Sequence, residues 1–153
     1  MSRRSLILAI ILLATGALSA QSPIKPAPSP NLAANIQAVK SSPAYAELLL
    51  QRTELQSTLD SLLMDYNETY PKVNELRSQI RLIDVEIGRL LVVKGPDVGR
   101  LTIALGKLML RKVELETELE TLKLQYKDEH PDVRKTKRQV ETFESAIKEI
   151  LGQ

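Results

Sequence analysis

The chain has 153 residues, with a single phenylalanine, no tryptophan and no cysteine. That length suits one domain, and the leucine-rich, charged, aromatic-poor composition points to long helices rather than a compact aromatic core. The lack of cysteine excludes disulfides, thiol chemistry and a lipid-attachment cysteine. Two of the basic residues behind the net charge of +2 lie in an N-terminal segment expected to be removed, so the balance does not point to nucleic acid.

Residues 1–20 read MSRRSLILAIILLATGALSA. Arg3 and Arg4 form a positive head, Leu6 to Leu18 an uncharged apolar run, and Ala17, Ser19 and Ala20 a small-residue tail. This is the pattern of a secretory signal peptide, cut near Ser19 or Ala20. The run is shorter than the ~20 apolar residues of a comfortable membrane span. An uncleaved N-terminal anchor is the alternative. Export to a periplasmic or extracellular space, with no membrane span after cleavage, is therefore expected.

Residues 21–42 begin with QSPIKPAPSPN, whose four prolines fix φ and lack amide donors. A semi-rigid spacer is expected, with a short helix at Leu32 to Lys40.

From Ser42 onward the sequence matches itself at a shift of sixty. ELQSTLDSLLMDYNETYPKV meets ELETELETLKLQYKDEHPDV. Tyr66 aligns with Tyr126, Pro71 with Pro131, Val73 with Val133, and Gln79 with Gln139. Two copies of one supersecondary unit are implied. Each carries a heptad seam. Tyr45, Leu48, Arg52, Leu55, Leu59, Leu62 and Tyr66 answer Leu105, Leu108, Lys112, Leu115, Leu119, Leu122 and Tyr126. Beyond the proline, Val73, Leu76, Ile80, Ile83, Ile87 and Leu90 answer Val133, Thr136, Val140, Phe143, Ile147 and Ile150. This period keeps one apolar stripe along a helix, as coiled-coil packing requires. The cationic interruptions Arg52 and Lys112 are expected to lay their stems on the seam and keep their charges in water.

Ser42 reads as an N-cap with Pro43 in the first turn. In KGPD, Gly95 is expected to take a left-handed conformation that ends one unit, and Asp97 to cap the next. A proline inside a helix costs on the order of 3 kcal/mol and drives its predecessor out of the α region. Tyr70, Pro71, His130 and Pro131 therefore mark helix breaks. Two all-α shapes fit: a pair of antiparallel helical hairpins, over residues 43–93 and 94–153, or a long kinked rod. Equal numbers of apolar layers on either side of each break favour the hairpins, with Leu62 facing Leu76, Leu59 facing Ile80 and Leu55 facing Ile83. Folding back would bring ELETELE (114–120) towards RKTKR (134–138). Leu49, Leu50, Leu63, Leu82, Leu91, Ile103, Leu110 and Leu124 fall off the seams, so either the hairpins pack on each other or a protein partner or second chain covers them.

The string Leu122, Tyr126, His130, Pro131, Asp132, Val133, Gln139 resembles the periplasmic coiled-coil segments of polysaccharide co-polymerases, the chain-length determinant and exopolysaccharide transport proteins. The first copy departs from it with Tyr70 in place of the histidine. The sequence also carries neither that family's second membrane span nor its nucleotide-binding tyrosine-kinase domain. The resemblance implies helical architecture and a periplasmic setting.

Chemistry finds little purchase. Gly99 and Gly106-Lys107 depart from a phosphate loop in glycine spacing and in having Leu108 where a hydroxyl would bind magnesium. One histidine, His130, beside Glu129 and Asp132 does not make a zinc site, and acids here already complement a helix start. No catalytic, cofactor-binding or metal-ligating residues are assigned. RKTKR fits an electrostatic patch for anionic glycans, lipids or nucleic acid, but a solvated helix face balanced by the neighbouring glutamates is the favoured reading. The expectation is a non-enzymatic exported scaffold or interaction protein, accessory to envelope polysaccharide assembly if the resemblance carries. A periplasmic chaperone or adaptor with helical arms is the alternative.

Overall fold

The computed structural model of the protein describes residues 30–153. The signal peptide, its cleavage bond and most of the proline spacer lie outside them. The described residues are helical, with no strand among them. Their elements are α1 (Pro30–Lys40), α2 (Pro43–Asp65), α3 (Pro71–Leu91), a 3-10 turn (Gly95–Arg100), α4 (Ile103–Gln125) and α5 (Pro131–Leu151).

Both prolines open helices and do not kink them. Tyr70 (φ −61°, ψ 129°) and His130 (φ −59°, ψ 138°) are extended, as a residue before proline must be. The helices before them end at Tyr66 and Tyr126, whose backbone angles agree within 2°. In each turn the residue before the proline donates its amide to the carbonyl five positions after the seam's last leucine, Tyr70 to Asn67 oxygen and His130 to Lys127 oxygen, at 3.1 and 3.0 Å in turn. The repeat therefore extends to the backbone of the turns.

Each helix pair folds back on itself, so the kinked rod does not form. Arg52 and Asp84, equally far from the first turn, meet at 2.5 Å. Lys112 and Glu144, their counterparts sixty residues on, meet at 3.4 Å. Leu59, Val73, Leu76 and Ile80 form a cluster between α2 and α3, with Leu55 and Leu62 against it. Of the expected seam, Leu59, Ile80, Ile83 and Leu115 are buried. Leu55, Leu62, Leu119, Leu122, Val140 and Phe143 are half-buried, because two helices alone cover a seam from one side only.

The hairpins join at the ends away from their turns. Leu48 of α2, Ile83 and Leu90 of α3, Leu105, Met109 and Val113 of α4, and Ile147 and Leu151 of α5 share one core. Each such side chain contributes about 1.5–3 kcal/mol of burial. Val39 of α1 and Leu101 after the 3-10 turn close its floor. Leu82, Leu91 and Leu110, off the seams, pack against this same core. Gly106 lets α4 approach α2: a Cβ there would lie 3.1 Å from Ala44 Cα.

Local punctuation matched the sequence at one end and departed from it at the other. Ser42 caps α2, its hydroxyl accepting from the Tyr45 amide. Asp97, however, sits inside the 3-10 turn, and Thr102 caps α4 by accepting from the Leu105 amide. Gly95 has no positive φ; the left-handed glycine is Gly152, which ends α5.

Candidate functional site

Past the shared core the two hairpins separate into arms. Towards the turns the apolar cluster of α2 and α3 stands apart from the main core. A cleft of about 640 Å³ lies between the arms. Tyr70, Asn74 and Ser78 line it from α3, and Thr117, Thr121 and Leu124 from α4. Glu120 crosses its lower edge, accepting from Arg81 at 2.6 Å and from the Ser78 hydroxyl. The lining is hydroxyl- and amide-rich, and Lys72 and Glu75 pair across 2.7 Å at its α3 side.

The arm tips are aromatic. Tyr66 stacks on Tyr70 with centroids 4.3 Å apart. Tyr126 stacks on His130 at 4.1 Å. The histidine thus takes the place of a tyrosine ring in one repeated contact, which explains why these two residue types exchange at that position. His130 does one thing more: its Nδ1 accepts from the Asp132 amide at 3.3 Å, capping α5. Tyr70 gives α3 no such bond. Asn67 Oδ1 stabilises the first tip instead, accepting from the Thr69 amide and hydroxyl. Close to the tips, Met64 is 84% exposed and Leu124 88% exposed.

Where the arms meet, charge is buried. Arg52 behaves much as the sequence implied, with its side chain 37% exposed beside Asp84. Lys112 does not. Its side chain is 11% exposed, and its ammonium lies 2.6 Å from Glu86 Oε1, a carboxylate 2% exposed on the other hairpin. Glu116 and Glu144 lie 3.1 and 3.4 Å from the same nitrogen. Arg89 pairs with Glu144 at 3.0 Å. Lys112 cannot keep its charge in water because the first hairpin covers it. Burial opposes that charge, but hydrogen bonding and attraction from Glu86, then Glu116, outweigh it and raise the Lys112 pKa. Burial likewise works against ionised Glu144, and Arg89 and Lys112 overcome it, lowering its pKa. Glu86 Oε2 is buried without a hydrogen-bond partner, 3.8 Å from Arg89.

Glu86 is the residue that sequence reasoning missed. Its repeat counterpart is Ala146, so the repeat itself held the signal: an acid in one copy where the other has a methyl group. ELETELE and RKTKR lie on α4 and α5, which fold back and pack on each other, but no ion pair joins the two runs among the described residues. Glu116 serves Lys112 and Glu120 serves Arg81, while Arg134, Lys135, Lys137 and Arg138 have no carboxylate within 4 Å among the described residues.

No protein-family model, curated protein or solved structure matches this chain. No group of three or more metal-ligating side chains occurs among the described residues. No described helix is long and apolar enough to cross a membrane.

Proposed function

We propose that the chain is an exported, non-enzymatic scaffold that presents two helical arms to a protein partner. One observation carries this reading: arms rooted in a common core separate towards tips that expose Met64, Leu124 and paired aromatic rings. Large apolar side chains so exposed mark interaction surfaces when they cluster. The N-terminal signal pattern supports export, and the resemblance of residues 122–139 to polysaccharide co-polymerase segments supports an accessory role in envelope polysaccharide assembly.

A photo-cross-linking amino acid at position 64 or 124, in the full chain expressed in a bacterium with a periplasm, tests the reading. The expected result is a periplasmic protein shortened at its N-terminus, with a discrete, saturable adduct at the tips and none at a substituted Lys40. Retention at full length in the cytoplasm, or tips that cross-link no better than position 40, refutes it. The cleft between the arms favours one other reading, a chaperone that holds unfolded segments. Suppression of aggregation of an unrelated client, lost in Leu124→Ser, would select it.

A further inference from the structure

Arginine pairing divides this molecule. Arg52, Arg77, Arg81, Arg89, Arg100 and Arg111 each lie within 4 Å of a carboxylate. Arg134 and Arg138, one turn apart on the outward side of α5, have none among the described residues, and Lys135 and Lys137 flank them. The helix containing them packs on α4 and touches the 3-10 turn at its far end. The outward side of α2 has the opposite character. Leu50, Glu54, Ser61, Met64 and Asp65 fall on one exposed stripe by helical spacing, with Asp60 at its edge. No cation lies within 4 Å of Glu54, Asp60 or Asp65 among the described residues. The chain thus carries an unpaired basic stripe and an unpaired acidic stripe on different helices.

We propose that the occupant of each stripe is a second copy of this chain, the α5 stripe of one docking on the α2 stripe of the next. The inference deepens the scaffold reading by naming a partner, and it rests on that reading. Three features argue for it. The charges are complementary and unspent within the chain. Antiparallel docking with the tips level seats α5 over Ser61 and Met64, with Asp65 and Asp60 on the two edges of the stripe within reach of the long Arg134 and Arg138 side chains. The long stems of the cations can also cover Met64, which is 84% exposed. The two surfaces differ, so the contact is heterologous and propagates head-to-tail into open chains or rings.

Sedimentation velocity on the full chain tests this, with circular dichroism to verify that each variant is helical. At about 25 mM salt the wild type is expected to shift from monomer to higher species as concentration rises, and to return to monomer at about 500 mM, where screening is nearly complete. Arg134→Glu/Arg138→Glu and Asp60→Lys/Asp65→Lys are each expected to stay monomeric alone and to associate when mixed. If a reversal variant loses helicity, Arg134→Gln/Arg138→Gln replaces it, with association expected to fall at least tenfold. A wild type that is monomeric throughout, association indifferent to these changes, or a monomer that pellets with anionic vesicles through Arg134 and Arg138 overturns the proposal. A monomer that still forms tip adducts leaves the scaffold reading standing.

Discussion

Replacing Lys112 with methionine is expected to destabilise the protein by about 3 kcal/mol at pH 7, although the repeat-equivalent Arg52→Met costs about 0–1 kcal/mol. The exposed Arg52–Asp84 pair is solvated and worth little. Removing Lys112, by contrast, strands Glu86, whose side chain is 2% exposed. Stranding one member of a buried pair costs about 3–5 kcal/mol. Arg89, 3.8 Å from Glu86 Oε2, offsets part of that, which places the estimate at the low end. An escape route sets a ceiling: neutralising an ordinary glutamate costs about 3.7 kcal/mol at pH 7 but only about 1 kcal/mol at pH 5. The defect should therefore shrink at pH 5. Urea unfolding followed by helical circular dichroism at both pH values measures it, using variants with unchanged slope. The double variant Lys112→Met/Glu86→Leu is expected to recover most of the loss, because apolar replacements of a buried pair are often neutral. Equal losses at positions 52 and 112, no relief at pH 5, or a double variant no better than the single would refute the argument.

Five further outcomes follow from the same geometry. Wild-type stability is expected to fall as pH drops through the lowered pKa of Glu144, because its favourable contribution is present above the unfolded value of 4.5 and lost below the folded one. The raised pKa of Lys112 acts at the other end: its contribution is full below the ordinary value of 10.5 and lost as pH rises through the folded one, so thermal unfolding should show a plateau between these limits. Gly106→Leu should cost on the order of 1–3 kcal/mol or more by overpacking against Ala44 and Glu47, despite leucine's better helix propensity, and denaturant unfolding reads it. Ser42→Ala should cost about 1 kcal/mol through loss of the α2 cap, seen as a lower unfolding midpoint. His130→Ala should cost about 1 kcal/mol from the lost ring stack, with His130→Tyr milder because the first tip already uses that pair, and a loss above about 3 kcal/mol would contradict it.

The hairpins were legible because proline restricts the backbone before it wherever it stands, and because the apolar layers before and after each proline matched in number. The cap at Ser42 was equally local. What sequence could not supply was the packing of one hairpin on the other. Seam spacing identifies the side of Lys112 that faces α5; it carries no record of α3 arriving from another direction with Glu86. Gly106 read as a poor fragment of a phosphate loop until Ala44 was beside it. Asp97 was a sound cap candidate, but the chain needed a 3-10 turn to carry it from the end of α3 to the start of α4, and Thr102 stood where the helix began. The signal in the tips was present and unused: tyrosine and histidine, four residues from a tyrosine in each copy, are both flat rings.

Duplication suggests interchangeable parts, and the buried charge shows that these parts are not. Glu86 reaches across to Lys112, but Ala146 has no carboxylate to offer a cation at position 52. A protein lengthened by repeating the second hairpin would bring another cation to the joint with no acid to receive it. One lengthened by repeating the first would bring Arg52 to meet Glu86. Growth of this architecture within one chain therefore has a direction, written in a single carboxylate.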